Sequence, residues 1–276
     1  PIHRSMPELP EVETTRRGIA PHVVGKRVAR VVVRNARLRW RVPKSLAQAL
    51  PGQTIRTLTR RAKYLLFATD AGTVIVHLGM SGSLRLAPAT AAPGKFDHVD
   101  LVLDDGWCLR LRDPRRFGAV LWTEADPATH KLLAGIGPEP LGPGFDADYL
   151  YARTRGRRRA VRDFLLDGTI VAGIGNIYAN EALHAAGIRP SRPAGRLSRA
   201  EATRLAQALR ATLNRAIKAG GTTLRDFRGG DDQPGYFQLA LKVYGRNGEP
   251  CPTCATPVRL LRQGQRSAFY CRRCQR

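Results

Sequence analysis

Four cysteines near the end of the chain have the spacing of a metal site. Cys251, Cys254, Cys271 and Cys274 follow the pattern C-x2-C-x16-C-x2-C. Each C-x-x-C pair turns both sulfurs toward one point, and two pairs complete the tetrahedron of thiolates that Zn²⁺ prefers. Four thiolates leave no open position for water, so the sequence predicts one structural zinc ion per chain, with no redox or organic cofactor.

The start of the chain offers a second chemical group. In Met6-Pro7-Glu8, removal of the methionine exposes the secondary amine of Pro7, and α-amino groups titrate near about pH 8. Such an amine is able to attack a sugar carbon and form an iminium ion, and Glu8 beside it is able to donate and accept protons. The alternative is that this segment simply begins the first helix, with Glu11 and Glu13 favouring its N-terminal dipole.

The net charge indicates the partner. The chain has 46 Lys+Arg against 22 Asp+Glu, a formal charge of +24. Such an excess favours binding to nucleic acid, or second to an acidic membrane surface, although no amphipathic basic helix supports the latter. No apolar run of about 18 residues predicts a membrane span. The first residues lack an apolar signal-peptide core, so we expect a cytoplasmic protein.

Short β-rich runs between residues 27 and 123, separated by Gly, Pro and Asp turns, predict a sandwich or barrel. One such run contains Cys108, which is predicted to be a buried free thiol. A helix is predicted before these strands, at about residues 11–22. The Pro- and Gly-rich segment 135–144 predicts a linker.

The rest of the chain is predicted to be mainly helical. Apolar residues at spacings of three and four predict helices over Arg158–Leu166, Ile177–Ala186 and Ser198–Ala219. Ser198 and Glu201 predict a capping box for the last helix.

Six motifs in order resemble those of one family. They are Pro7-Glu8-Leu9-Pro10-Glu11-Val12-Glu13, Arg60-Arg61-Ala62-Lys63-Tyr64-Leu65, His77-Leu78-Gly79-Met80-Ser81-Gly82-Ser83-Leu84, Asp113-Pro114-Arg115-Arg116-Phe117-Gly118, Gly173-Ile174-Gly175-Asn176-Ile177-Tyr178-Ala179-Asn180-Glu181 and the cysteine tail. Over about residues 6 to 276 the chain closely resembles bacterial formamidopyrimidine-DNA glycosylase, which removes 8-oxoguanine and ring-opened purines.

The resemblance implies an α+β multidomain fold: an antiparallel β-sandwich, a helix-two-turn-helix domain and a β-hairpin zinc finger. The expected boundaries are an extension at 1–5, a catalytic sandwich with its N-terminal helix at 6–134, a linker at 135–144, the helical DNA-binding domain at 145–240 and the zinc finger at 241–276. A lesion-recognition loop is expected within the helical domain, between Gly220 and Tyr236. The alternative interpretation of this segment is a disordered linker.

The resemblance also implies an activity, that of a bifunctional DNA glycosylase and AP lyase of base excision repair. Pro7 attacks C1′ of the damaged nucleotide, Glu8 assists opening of the sugar ring, and β,δ-elimination cuts the strand. By the same resemblance, Lys63 is expected to contact phosphate and assist β-elimination, and Arg266 is expected to assist δ-elimination. The implied partner is double-stranded DNA containing oxidised purines, bound by a monomer at the nucleoid.

Five further residues are implied to bind DNA. Met80, Arg115 and Phe117 fill the gap that an extruded base leaves in the duplex. Arg157, in a dense arginine cluster, and Asn176, at the start of a helix, contact phosphates. A solvated arginine face and core positions for Met80 and Phe117 are the plainer alternatives.

The chain departs from the family pattern in two places. Residues 1–5 precede Met6, and with them attached the Pro7 nitrogen is an amide without a nucleophilic lone pair, so we expect Met6 to be the true start. Phe96 stands where a phosphate-binding histidine is often found, and His98 is predicted to be structural. A smaller change is Arg162, where lysine is expected.

Two other functions are compatible with these features. One is an endonuclease VIII-like enzyme for oxidised pyrimidines, which the Pro7–Glu13 motif and the Met80, Arg115 and Phe117 set disfavour. The other is a non-catalytic zinc-ribbon protein that binds nucleic acid and forms no covalent adduct.

Overall fold

The computed structural model describes residues 7–220 and 241–276. The expectations for Pro1–Ser5 and for the loop after Gly220 fall outside these residues. The chain divides into two units between Ala134 and Gly135. The first unit contains the strands β1–β8 and the helices α1 and α2, and the second contains α3–α5, most of α6, and the strands β9 and β10.

The first unit begins with a helix and continues mainly as strands. Its helices are α1 (Leu9–Val23) and α2 (Lys44–Ala49), and its strands are β1 (Val28–Val33), β2 (Thr57–Arg61), β3 (Tyr64–Ala68), β4 (Thr73–His77), β5 (Ser83–Pro88), β6 (Asp97–Leu103), β7 (Trp107–Arg112) and β8 (Ala119–Thr123). The predicted first helix and the strands around Val31, Leu65, Ile75, Leu101 and Leu121 are present.

The strands form two antiparallel sheets, in the orders β1-β6-β7-β5 and β2-β3-β4-β8. Alternate residues of a strand point to opposite faces, and Leu65 and Phe67 of β3 are fully buried. They join one hydrophobic core with Leu101 and Leu109 from the other sheet and Ile19 from α1. The predicted antiparallel sandwich is therefore confirmed, with α1 packed into its core.

A buried ion pair lies across the β1-β6-β7-β5 sheet. Arg110 of β7 is 2 % exposed and donates two hydrogen bonds to Asp100 of β6, at 3.0 and 2.8 Å. Arg34 donates to the same carboxylate at 2.5 Å, and Arg110 also donates to the Ala91 carbonyl at 3.1 Å. These bonds satisfy charges whose burial would otherwise be costly. The predicted buried thiol, Cys108, lies in the same strand and is fully buried.

The second unit is a helical bundle with a short hairpin. Its helices are α3 (Ala147–Thr154), α4 (Val161–Leu165), α5 (Asn176–Ala186) and α6 (Arg199–Gly220), and its strands are β9 (Arg259–Gln263) and β10 (Arg266–Tyr270). Phe145, Phe164, Leu183, Leu209 and Leu213 are among the residues that form its core.

The helix ends have visible local causes. The Ser198 backbone N–H donates to Glu201 at 2.9 Å and the Glu201 N–H donates to the Ser198 hydroxyl at 3.2 Å, so the predicted capping box is confirmed. Helix α4 starts later than predicted because Ala160 has extended backbone angles. Helix α3 was not predicted; it begins after Asp146, whose carboxylate accepts the Tyr149 N–H at 2.7 Å.

The hairpin β9–β10 turns at Gly264, whose φ of 56° is in the left-handed region that favours glycine. Arg266 pairs with Gln263, and this pair of residues flanks the turn. Across residues 7–220 and 241–276, no helix has both the length and the apolar character that a membrane span needs.

Candidate active site and zinc site

The Pro7–Glu8 segment lies buried directly before α1. Glu8 is 2 % exposed and is the N-cap residue of the helix. Its backbone N–H donates to the Glu11 carboxylate at 2.9 Å, which fixes the backbone that follows Pro7. The segment therefore does begin the helix, as the plainer interpretation holds.

Glu13, one turn further along α1, connects this helix to β2. Its carboxylate accepts hydrogen bonds from Arg16 at 2.9 Å, Arg17 at 2.8 Å and Arg60 at 3.2 Å. Burial alone would raise the pKa of Glu13, but the bonds from Arg16 and Arg17 and the charge of Arg60 outweigh it and lower the pKa to about 2. Glu13 is therefore an anion at neutral pH and holds α1 against the sheet.

Lys63 lies in the two-residue turn between β2 and β3. Ala62, the other turn residue, has φ of 52°, and the Arg60 guanidinium donates to the Ala62 carbonyl at 2.9 Å. Arg60 thus bonds both Glu13 of α1 and the turn that carries Lys63. The structure places Lys63, half-buried, on the strand pair that α1 packs against.

His77 connects this turn to the next loop, and no local pattern in the sequence indicates this role. It pairs with Tyr64 across β3 and β4, and the two ring centroids are 4.8 Å apart. Burial lowers the pKa of His77 to about 4, and the positive charges of Lys63 and Arg39 add to this. The imidazole is therefore neutral at pH 7, and its Nδ1 accepts the Gly79 N–H at 3.0 Å.

The loops that carry Met80, Arg115 and Phe117 lie against each other. Gly79 has φ of +67°, and a Cβ there would lie 2.4 Å from the Phe117 carbonyl carbon, so only glycine permits this approach. Asp113 is fully buried and joins the loops: its carboxylate accepts the Ser81 hydroxyl at 2.8 Å and the Gly118 N–H at 2.7 Å.

Phe117 projects from this pair of loops. It is 39 % exposed, and the Arg115 guanidinium carbon lies 4.7 Å from its ring centroid. The cation–π contact with Arg115 keeps this apolar ring at the surface, outside the core. The core position considered for Phe117 is therefore wrong. Met80, half-buried, lies in the facing loop.

Phe96, which departs from the family pattern, and His98, which is predicted to be structural, lie at the start of β6 and have separate outcomes. His98 is 5 % exposed and its Nε2 lies 2.9 Å from the Asp113 carbonyl oxygen, so its predicted structural role is confirmed. Phe96 is half-buried, with Lys95 at 5.5 Å and Arg112 at 5.3 Å from its ring centroid. The aromatic ring thus holds two cations at this edge of the sheet.

Asp113→Ala is expected to lower the free energy of unfolding of the first unit by about 2–4 kcal/mol, because the buried Gly118 N–H and the half-buried Ser81 hydroxyl lose their acceptor. Urea unfolding followed by tryptophan fluorescence measures this, since Trp40, Trp107 and Trp122 all lie in the first unit and are the chain's 3 tryptophans. Asp104→Ala, at an exposed carboxylate, is the control, with a change within about 0.5 kcal/mol. Equal effects of the two substitutions would contradict the assigned role of Asp113.

In the second unit, the arginine cluster and α5 carry the predicted phosphate contacts. Arg157 is exposed and lines a cavity of about 410 Å³ with Arg153, Arg158 and Arg159. Asn176 is the first residue of α5, but its amide donates to the Ser267 carbonyl at 2.9 Å. This bond places Asn176 beside the strand that begins with Arg266.

Arg162, the third departure from the family pattern, is fully buried. Its guanidinium donates to Asp163 at 2.5 Å, to the Gln263 carbonyl at 3.1 Å and to the Asn176 side-chain oxygen at 3.5 Å. The five donors of an arginine allow it to serve all three acceptors. Arg162 therefore ties the hairpin and the start of α5 together from the side of α4.

Helix α5 also holds residues 241–276, called the hairpin module below, through two other polar side chains. Asn180 accepts the Phe269 N–H at 2.8 Å. Glu181, 6 % exposed, accepts the N–H groups of Lys242, Val243 and Tyr244 at 2.8, 2.9 and 2.9 Å. Both residues stand in the glycine-led motif quoted above, but their partners lie more than 60 residues away in sequence, which no local pattern discloses.

The four predicted zinc ligands meet at one point. Their Sγ atoms all lie within 4.8 Å of one another, with closest pairs at 3.4 and 3.9 Å. Zn–S bonds of about 2.3 Å in a tetrahedron require sulfurs about 3.8 Å apart. The donor set and its spacing therefore fit one structural Zn²⁺, which supplies folding energy and takes no part in bond making.

The chain matches three domain families in the predicted order. These are the formamidopyrimidine-DNA glycosylase N-terminal domain at residues 6–120, the formamidopyrimidine-DNA glycosylase H2TH domain at 136–228, and the zinc finger found in FPG and IleRS at 248–276. Formamidopyrimidine-DNA glycosylase of Stutzerimonas stutzeri is 59 % identical over 271 residues, covering 98 % of this chain and 100 % of the relative. The chain belongs to the formamidopyrimidine-DNA glycosylase family.

Solved structures of this family have the same fold. The MutM (Fpg) protein of Thermus thermophilus matches with a TM-score of 0.84 and 39 % identity, covering 98 % of both chains. The Lactococcus lactis formamidopyrimidine-DNA glycosylase, bound non-covalently to DNA containing an AP site, matches with a TM-score of 0.87 and 31 % identity, covering 98 % of this chain and 100 % of that one. The predicted fold class, enzyme class and structural zinc are thereby confirmed, and the chain is a DNA glycosylase.

Proposed function

We propose that the chain excises formamidopyrimidines and 8-oxoguanine from double-stranded DNA and then cuts the strand as an AP lyase. The proposal is carried by the contact series in the first unit that starts at the buried Pro7–Glu8 segment. It passes through Glu13 and Arg60 to the Lys63 turn, and through His77 to the loops of Met80 and Phe117. Residues far apart in sequence are thus held on one connected framework.

The reaction begins at the Pro7 nitrogen. Its lone pair forms a bond to C1′ of the damaged nucleotide, and the glycosidic bond breaks with its electron pair leaving on the base, which takes up a proton. Glu8 gives a proton to the sugar ring oxygen as the ring opens, and the Pro7 nitrogen becomes an iminium ion. The iminium then accepts electrons while C2′ loses a proton and the 3′ phosphate leaves.

The other site residues bind and neutralise DNA. Lys63 contacts a phosphate and assists this β-elimination, and Arg266 assists δ-elimination, in which the 5′ phosphate leaves. Arg157 and Asn176 contact the phosphate backbone, which supplies most of the affinity without reading sequence. The Asn176 amide would have to exchange its bond to Ser267 for the phosphate, or share it.

Phe117, Met80 and Arg115 fill the gap that the extruded nucleotide leaves. Phe117 enters the stack because its ring is exposed and is held by Arg115, which then hydrogen-bonds the orphaned base. We further propose the domain boundaries 6–134, 145–240 and 241–276 with a linker at 135–144, and action at the nucleoid.

Borohydride reduction of the iminium ion tests this proposal. A protein whose first residue is Pro7 is expected to become covalently trapped on a duplex containing 8-oxoguanine, and Glu8→Gln is expected to slow base excision by about 10²–10⁴-fold. Pro7→Gly loses the secondary amine and is expected to be trapped less. Absence of a trapped complex, or undiminished trapping of Pro7→Gly, contradicts the role of Pro7. Faster cleavage of a matched duplex with an oxidised pyrimidine would instead support the endonuclease VIII-like alternative.

A further inference from the structure

The face of α5 that holds the hairpin module also reaches the zinc site. Three residues of this face form hydrogen bonds with main-chain groups of the module: Asn176, Asn180 and Glu181. Main-chain groups are present whatever the side chains of the module are. His184 follows one turn after Glu181 on the same helix and is 8 % exposed. Its partner is a side chain of the metal site.

The imidazole Nε2 of His184 lies 3.5 Å from Sγ of Cys251. Cys251 is 2 % exposed, so little solvent competes for this sulfur. A zinc ligand is a thiolate, which has no proton to donate. The hydrogen bond therefore has one possible direction in the zinc-loaded protein, with Nε2–H donating and sulfur accepting.

We propose that His184 is a positioning residue of the zinc site that donates a hydrogen bond to the Cys251 thiolate. The bond withdraws negative charge from the sulfur, which makes it a weaker nucleophile toward electrophiles. It also fixes the direction of the sulfur toward the other three ligands, as partners in the second coordination sphere do at other metal sites. Both effects slow the loss of zinc.

The bond also connects the zinc site to α5, whose first residue, Asn176, is proposed above to bind DNA. The inference about His184 does not depend on that DNA-binding role. Because His184 and Asn176 stand on one helix, α5 contacts both the Cys251 sulfur and the Ser267 carbonyl. Zinc retention is a property of the folded protein alone, so it can be measured on protein that never meets DNA. A failed glycosylase assay and a failed zinc assay therefore have different meanings.

Three substitutions separate the hydrogen bond from packing. His184→Phe keeps an aromatic ring but has no N–H, whereas His184→Gln keeps an N–H donor at a similar reach. Ala185→Gln, at an exposed position of α5, controls for changes to the helix itself. The full-length, zinc-loaded proteins are mixed with a chromogenic chelator, and the rate of zinc transfer and the rate of cysteine alkylation are measured.

We expect His184→Phe to release zinc about 10–100-fold faster than the unsubstituted protein. His184→Gln and Ala185→Gln are expected to stay close to it, and alkylation to follow the same order. Release from His184→Phe at the unsubstituted rate overturns the proposal, and so does release from His184→Gln as fast as from His184→Phe. In unsubstituted protein loaded with NMR-active cadmium, the His184 Nε2 proton signal is expected to be split by the metal through sulfur. An unsplit signal overturns the proposal even if the Phe variant fails to fold.

Discussion

A chain that keeps any residue before Pro7 is expected to form no borohydride-trapped complex and to lose strand cutting by on the order of 10³-fold or more, as enzymes do when a nucleophile is removed. The reason is covalent: an amide nitrogen has delocalised its lone pair and cannot attack C1′. Two proteins test this, one starting at Pro7 and one retaining Met6 ahead of it. The intact mass of each establishes its first residue.

The control for this comparison is binding. Lesion-containing DNA is expected to bind both proteins, because Arg157 and the exposed Phe117 ring are unchanged. Equal trapping of the two proteins would show that another amine is the nucleophile, and Lys63 would be the first to test. Loss of binding along with trapping would indicate instead that the added residue blocks access to the DNA.

The sequence predicts strands from their apolar residues, but it does not predict which of their arginines are buried. Strand β7 contains Arg110, which reads as a solvent-facing residue in an alternating pattern, yet it is 2 % exposed. Its partner Asp100 lies on the neighbouring strand, and the pairing of β6 with β7 brings this carboxylate to the buried guanidinium. Strand β2 contains Arg60, whose partner Glu13 lies in α1.

The residues of the candidate site also fall into two groups, those that the sequence identifies and those that it does not. Pro7, Lys63 and the cysteines stand in motifs whose local spacing or family resemblance identified them. Asp113 and His77, which position the loops of Met80 and Phe117, also stand in these motifs, but no local pattern indicates what they do. The bond from Ser81 to Asp113 spans 32 positions and that from Val243 to Glu181 spans 62, so long-range register decides them. Local signals exist only for Glu13, whose spacing to Arg16 and Arg17 is that of helix ion pairs.

The hairpin module depends on zinc because its own core is too small to fold it. The buried hydrophobic cluster consists of Val243, Cys251, Val258 and Cys271, so two of its four members are zinc ligands. Such modules obtain about 10–16 kcal/mol of apparent folding free energy from the metal. The bonds from α5 have folded partners only when the hairpin is formed.

Cys251→Ser is therefore expected to abolish stoichiometric zinc binding and to weaken DNA binding by about tenfold or more, since phosphate contacts made by an ordered module are lost. The matched control is Cys108→Ala, which removes a cysteine that lies outside the quartet and is expected to retain one zinc per chain. Zinc content and DNA affinity at fixed salt are the measurements.

The three tryptophans make the result of Cys251→Ser specific, because they report only on the first unit. Their unfolding transition is expected to stay unchanged in Cys251→Ser, while protease cleavage within residues 241–276 increases. A shifted tryptophan transition would mean that the substitution damages the whole chain and not the module. Unchanged zinc content, DNA affinity and strand cutting would show that the quartet does not hold the module together. We expect the sandwich to stay folded while the hairpin module is lost. That result would show that zinc is needed to fold the hairpin that carries Arg266.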